Sequence, residues 1–540
     1  MALRLITGRS GQGKTEYLVQ EVIRLSMENP QQKYYVIVPE QFSLEMQRKM
    51  VKKHPRHGFF NIDVLSFHRL AYRIFDECGY QPGEILEDLG VSMMLRKILS
   101  EGENNFLYFK KSMKKAGFID ELKSMLMEFI GYGVTWEQVE EVSEKLGENK
   151  ALSNKCKELG RIYEHFDKAI EGRFMVTEQI LDVAREFAKE APMLTNAVFY
   201  FDGFAGFTPV QLAFLKELLK VAGQINVTIT IPEFVPGQRG MPEDLFTSSK
   251  KTGDALLMLC QENMQEVEEV VKLDTPVSPR FINNPELAFL EKNLFQNSRK
   301  IYSKKIERIH MTVCHNPDGE ADYVMHKIEQ LVRQKGYRYR DFAVLSGDVA
   351  DYASAFKRKA AILNIPVFED TKKKVSYHSG VEAVRSLFHL AQMEYSYESV
   401  FRYLKSGMSN LIDEDADYLE NYVLYAGVRG YSMWKKPFYR RLKNKDEAAI
   451  KALLLLQEKF MEETENFCSV MRDKEAGVRD KIEVLYHTMV KLSFEEKLKN
   501  QAQKAEENSD FVKAAEYRQL YDLLLSLMDK IVMIFGEEKM

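Results

Sequence analysis

The run Gly8-Arg9-Ser10-Gly11-Gln12-Gly13-Lys14-Thr15 constrains this chain more than any other feature, because it fits GxxxxGK[ST] at every fixed position. Leu3 to Ile6 before it reads as a short apolar strand, and about Lys14 to Met27 after it as a helix. That context is what a phosphate-binding loop needs. Glycines let backbone N–H groups turn inward around phosphate oxygens. The N-terminus of the helix adds partial positive charge. In such a loop Lys14 reaches the β- and γ-phosphates of a nucleoside triphosphate, and Thr15 holds Mg2+. A second Mg2+ carboxylate is expected after a later apolar strand. Ala197-Val-Phe-Tyr-Phe201-Asp202 supplies it as Asp202. The bland readings are a chance glycine-rich turn for the loop and a turn-capping role for Asp202.

The rest of the chain alternates between two textures. Tyr34 to Val38 and Ile62 to Leu65 read as strands rich in β-branched and aromatic residues. From about 84 to 190 helical periodicity dominates, as in Ile119, Leu122, Met125, Leu126 and Phe129. Strands return at Ala197 to Phe201 and Ile225 to Ile231. A second α/β unit is expected from about Ile309, with strands at His310 to Cys314, Phe342 to Leu345 and Val367-Phe368. Helices of about Gly319 to Gln334 and Val349 to Leu363 separate them. From about Ser379 onward the pattern is helical again. The expected class is α/β with a parallel sheet.

A chain of 540 residues divides into several domains. Charged residues at 29% and hydrophobic ones at 45% are those of a folded protein rather than a disordered one. A net charge of −4 excludes a global basic field, so any nucleic-acid site must be a local groove. Cys78, Cys156, Cys260, Cys314 and Cys468 stand apart with no CxxC, as reduced thiols of a cytosolic protein do. Local spacing therefore offers no structural metal site. No apolar run is long enough to span a bilayer. A strand beginning at Leu3 leaves no expectation of a signal peptide. The halt at Met540, just after a helical stretch, suggests a piece of a longer protein.

At this point the residues resemble a known family, AddB, which together with AddA makes up the bacterial ATP-dependent helicase/deoxyribonuclease AddAB. The carrying segments are Leu5-Ile-Thr-Gly-Arg-Ser-Gly-Gln-Gly-Lys-Thr15, Val38-Pro-Glu-Gln-Phe42, Ser66-Phe-His-Arg-Leu70 and Asp202-Gly-Phe-Ala-Gly-Phe-Thr-Pro-Val-Gln211. Gly336-Tyr-Arg-Tyr-Arg-Asp-Phe-Ala-Val344, Ile365-Pro-Val-Phe368 and Val400-Phe-Arg-Tyr-Leu-Lys405 continue the series. The resemblance implies two RecA-like P-loop NTPase domains, the second incomplete here, each with a large helical insertion. The implied boundaries are 1–83 and 191–280 for the first domain and 84–190 for its insertion. Those of the second are 281–378, with its insertion at 379–540. It implies ATP with Mg2+ as ligand, AddA as partner, DNA ends as substrate and a cytoplasmic location. The family's nuclease domain and iron–sulfur cluster belong to a C-terminal region that this sequence does not contain.

Departures from an active motor are part of the reading. Active relatives carry Asp-Glu-x-Gln-Asp where this chain has Asp202-Gly203-Phe204-Ala205-Gly206. The Mg2+ carboxylate is kept, and the Glu that orients the attacking water is Gly203. Gln211 is a candidate γ-phosphate sensor, against a plain polar position on a helix. Only seven residues precede Gly8, too few for the upstream glutamine that reads adenine. ATP binding with little turnover is therefore expected, in a protein that scans single-stranded DNA for the recombination hotspot Chi. Candidate DNA contacts are Gln41, Phe42, Phe67, His68 and Arg69, by aromatic stacking and phosphate contacts. Trp434, Lys435, Lys436 and Arg440 form a further basic–aromatic cluster. The competing readings are core packing for the two phenylalanines and an exposed loop for the cluster. Two other functions compete: an active ATP-driven translocase, and a P-loop small-molecule kinase, which the length and the two α/β units disfavour.

Overall fold

Alternate residues of one strand feed two cores, and this organises the first part of the chain. Tyr35 and Ile37 join Leu3, Leu5, Phe199 and Phe201 on one face, while Tyr34, Val36 and Val38 join Leu18, Val22 and Tyr200 on the other. A period of two that is apolar on both faces marks a sheet covered on both sides. The computed structural model describes all residues except 1, 103–105, 114, 116, 147–149, 239–243, 295–298, 370–374, 439–446, 537 and 540. The chain divides into two units, Met1–Thr312 and Val313–Met540.

In the first unit β1 (Ala2–Gly8) runs into α1 (Lys14–Glu28), followed by β2 (Tyr34–Ile37), α2 (Ser43–Lys53), β3 (Ile62–Leu65) and α3 (Phe67–Cys78). A short strand β4 (Glu84–Leu86) opens a helical stretch of α4 (Asp88–Glu101), α5 (Phe118–Gly131), α6 (Trp136–Lys145) and α7 (Lys150–Ile170). β5 (Phe174–Val176) closes it by pairing with β4 in parallel, a small second sheet that periodicity alone did not suggest. Then come α8 (Ile180–Glu186), β6 (Val198–Phe201), α9 (Pro209–Leu218), β7 (Gln224–Thr230), α10 (Thr247–Glu262), β8 (Glu266–Val267), β9 (Val271–Lys272) and α11 (Pro285–Asn293).

The main sheet has the order β3-β2-β6-β7-β1-β8, with β9 also on β1. All of these pairings are parallel. Strand β7 lies between β1 and β6, in register Leu3↔Ile225 and Phe199↔Ile225. In a parallel sheet every strand ends at the same edge, where ligands of α/β folds bind. The loops after β1, β2, β3 and β6 therefore share one edge.

The second α/β unit expected from about Ile309 takes a different form. Its helices α12 (Pro317–Lys335) and α13 (Val349–Leu363) form, and they pack around Met325, Ile328, Ala360 and Ile365. The three expected strands do not: 310–314, 342–345 and 367–368 carry no β ladder. Met311, Val313, Leu345 and Phe368 are each 90% exposed or more. A strand-like composition yields a strand only when neighbours take up its backbone hydrogen bonds and cover its face. Beyond Ser379 the unit is helical, with long helices at Glu447–Arg472 and Phe511–Phe535 around a core that includes Tyr403, Trp434, Phe460 and Phe467.

Candidate nucleotide-binding site

Two glycines shape the loop after β1. Gly11 and Gly13 take φ of 78° and 90°, a left-handed backbone that side chains disfavour. Tyr17 N donates to Gly13 O at 2.8 Å, so helix α1 begins at once and its free N–H groups point back at the loop. Lys14 Nζ lies across the loop and donates to Gly8 O at 2.8 Å and Arg9 O at 3.1 Å. Burial pushes its pKa down from 10.5 to about 8. The Asp202 carboxylate opposes that shift, and the Arg280 guanidinium adds to it.

Asp202 leaves the end of β6 and is 6% exposed. Thr15 Oγ1 donates to Asp202 Oδ2 at 2.7 Å, and Thr228 Oγ1 of β7 donates to Oδ1 at 2.6 Å. The intervening strand thus fixes the carboxylate against the phosphate loop. A hydroxyl and a carboxylate oxygen this close are hard donors of the kind Mg2+ takes, with water and phosphate filling its other positions. The donor set therefore fits a magnesium nucleotide rather than a metal held by protein alone.

A strap crosses the loop, and no local motif announces it. Gln12 Nε2 donates to Thr275 O at 3.1 Å, and Thr275 Oγ1 donates to Gln12 Oε1 at 2.6 Å. Ser278 Oγ donates to Ser10 O at 3.4 Å, and Arg280 N donates to Gly11 O at 3.4 Å. Arg9 Nε donates to both oxygens of Glu291, at 3.1 and 3.2 Å. Its Nη2 donates to the carbonyls of Glu291 and Lys292 at the end of α11. Arg9, Ser10, Gly11 and Gln12 are thus fastened from outside by residues more than 260 positions away.

Other sequence candidates fall less uniformly. Gln211 sits in the cap of α9: its Oε1 accepts from Thr208 N at 3.0 Å, and its own N–H donates to Thr208 Oγ1 at 3.3 Å. That capping box gives its carbonyl a local role at the start of α9. Phe67 is 6% exposed, with its ring 5.3 Å from Phe204 and 5.6 Å from Phe201, and it belongs to the core rather than to a stacking surface. Gln41 and Arg69 are exposed, and Phe42 is 45% exposed. His68 faces Glu40 across 3.7 Å, bringing the loops after β2 and β3 together at the same edge as the phosphate loop. In the second unit Trp434 is wholly buried against Phe438 and Phe460, which removes it as a base-stacking side chain. Lys435 pairs with Glu465, Lys436 is exposed, and Arg440 lies outside the described residues.

A family model described as ADDB, N-terminal matches residues 5–291, a span that holds the phosphate loop, Asp202 and the strap. The chain belongs to the AddB family. Similar curated relatives, each named as the B chain of an ATP-dependent helicase/deoxyribonuclease, come from Lachnoclostridium phytofermentans (31% identical), Thermoanaerobacter pseudethanolicus (32%) and Clostridium botulinum (30%). Each alignment covers 100% of this chain and 47% of the relative. The chain thus spans about half the length of the AddB proteins it matches. Among the described residues no helix is long and apolar enough to cross a membrane.

Proposed function

We propose that this chain binds ATP with Mg2+ at Gly8 to Thr15 and Asp202, and guides single-stranded DNA within a helicase/nuclease that processes double-strand breaks. The observation that carries the reading is the 2.7 Å contact of Thr15 with Asp202, which joins the two magnesium-ligand positions although 187 residues separate them. In this reading the backbone N–H groups of the loop and Lys14 bind the phosphates, and Thr15 and Asp202 hold the cation. Bound Mg2+ would supply charge neutralisation between β- and γ-phosphate oxygens. DNA lies along the edge formed by Gln41, Phe42, His68 and Arg69, with Lys435 and Lys436 as further phosphate contacts. The partner is AddA, the sequence scanned is Chi, and the location is cytoplasmic. The two RecA-like domains keep the boundaries given above. The second would complete its sheet with residues outside this chain, and the iron–sulfur cluster and nuclease belong to that other part.

Slow hydrolysis follows from Gly203. Its φ of 83° is left-handed, so the position suits glycine and strains any residue with a carboxylate side chain. Gly203→Glu is expected to lower stability by about 1–2 kcal/mol and to add no ATP turnover. Denaturant unfolding and phosphate release measure the two, and a burst of DNA-stimulated turnover in that variant would contradict the account. The nucleotide site itself is tested with Asp202→Asn. Calorimetric titration with ATP should give Mg2+-dependent binding in the parent chain and Mg2+-independent, weaker binding in the variant. Equal Mg2+ dependence in both would sink the assignment.

A further inference from the structure

Three buried side-chain atoms that find no hydrogen-bond partner among the described residues gather at one junction of the second unit: His378 Nε2, Ser379 Oγ and Gln501 Oε1. The helix Ser379–Gln392 starts there, against the helices Phe494–Glu507 and Phe511–Phe535. The approach is close, since a Cβ built on Gly380 would sit 2.7 Å from Leu520 Cδ2 and 3.4 Å from Leu498 Cδ2. Buried polar atoms left unpaired are costly, so a junction that keeps several is built for something that pairs them. A cavity of about 240 Å3 lies at this junction, lined by Gln501, Lys504, Asp510, Lys513 and Tyr517. A single water, at about 30 Å3, fills little of it. His378 Nδ1 accepts from Gly380 N at 3.2 Å, so the neutral ring carries its proton on Nε2, and that atom is a donor. The ring stands edge-on to Tyr517, with centroids 4.5 Å apart. Burial lowers the His378 pKa; the Glu516 carboxylate opposes that shift and the Lys513 ammonium adds to it. Lys504 and Lys513 are exposed and enter no ion pair among the described residues.

Cations and a donor thus surround the space, but acceptors line it too. Gln501 Oε1 is one, and the Asp510 carboxylate, which takes the N–H of Lys513 at 3.0 Å, is another. An anion without a proton satisfies the first set and is repelled by the second. Orthophosphate near neutral pH keeps one P–OH, so it brings acceptor oxygens and a donor together. We infer that this junction binds free hydrogen phosphate: Lys504, Lys513 and His378 Nε2 donate to its oxygens, and Gln501 Oε1 accepts its P–OH. Sulfate and the phosphodiesters of nucleic acid carry no such proton, so the site tells phosphate from both. The bound ion fastens the start of Ser379–Gln392 to the two helices beneath it. The inference is independent of the nucleotide reading.

The test uses the full chain carrying Lys14→Ala, so that the glycine-rich loop contributes least, with inorganic phosphate, sulfate and a single-stranded oligonucleotide without terminal phosphate as probes. Calorimetry should find phosphate bound and sulfate weaker by about tenfold or more, as for lost charge-assisted contacts. Excess oligonucleotide should leave the phosphate in place. Adding Lys513→Met should weaken phosphate about tenfold or more, and adding Gln501→Leu should bring phosphate down toward sulfate. The thermal midpoint without phosphate should not move in Lys513→Met, because that side chain is exposed and unpaired. Absence of phosphate binding, or phosphate affinity that Lys513→Met leaves unchanged, overturns the site. Sulfate bound as tightly as phosphate, or phosphate displaced by the oligonucleotide, overturns its assignment to free hydrogen phosphate.

Discussion

Lys14→Ala is expected to weaken ATP binding by about a hundredfold or more, since it removes the cation that, in the proposed site, would contact two phosphates by charge-assisted hydrogen bonds. Calorimetry or fluorescence titration measures it. The same variant should fold as well as the parent. Burial already disfavours the charged amine in the folded chain, with a pKa of about 8 against 10.5. Because the folded value is the lower one, the unfolded chain holds more protons between those pH values. Stability from this group therefore rises with pH across that window, and below pH 8 the charge is a cost that alanine removes. The sign for binding is opposite. Phosphates favour the protonated amine, so ATP affinity should hold up to about pH 8 and then weaken as the free site loses its proton. Lys14→Ala should lack that decline, and an identical pH profile in both proteins would contradict the placement of Lys14 on the phosphates.

Trp434→Ala carries the largest expected effect on stability, about 3–5 kcal/mol from the second unit, as for other buried large-to-alanine changes. The side chain has no exposure, and its ring lies 4.8 Å from that of Phe460 and 5.3 Å from that of Phe438. Its carbonyl accepts from the Gln457 carboxamide, which also donates to Lys436 O at 2.9 Å, so the residue anchors the following basic turn. The indole Nε1 is buried and finds no partner among the described residues. Trp434→Phe, which discards that unpaired donor and keeps an aromatic ring, should therefore cost far less than alanine. Urea unfolding compares the two. Single-stranded DNA affinity should be the same in Trp434→Phe as in the parent, and a large loss there with stability intact would return Trp434 to the binding surface.

These two residues show where sequence reasoning reaches and where it stops. The five longer strands of the first sheet were legible, with Ile62–Leu65 as expected and Tyr34–Ile37 one residue shorter, while the short β8 and β9 were not. Doubly covered parallel strands are continuous β-branched and aromatic runs, which makes them stand out in the sequence. The meeting of Thr15 and Asp202 was also legible, because a motif fixes one side and a strand end the other. Burial was not. Trp434 stands beside Lys435 and Lys436 in sequence, and local composition cannot tell a core tryptophan with basic neighbours from an exposed one. The same holds for Phe67 between Ser66 and His68. At the boundary between the two units His310 to Cys314 has strand composition, but strands are made by partners, and composition does not supply them. The strap was invisible for a related reason: Gln12 and Thr275 pair across 263 positions, and neither carries a local signature of the other.

The central claim is a site that binds ATP and hydrolyses it poorly. Phosphate release by the purified chain, with saturating ATP–Mg2+ and with or without single-stranded DNA, tests it most directly when run beside a binding titration. The account predicts saturable ATP binding together with phosphate release that DNA does not stimulate. Turnover that rises clearly on adding DNA would contradict it, because some carboxylate would then be orienting water where Gly203 cannot.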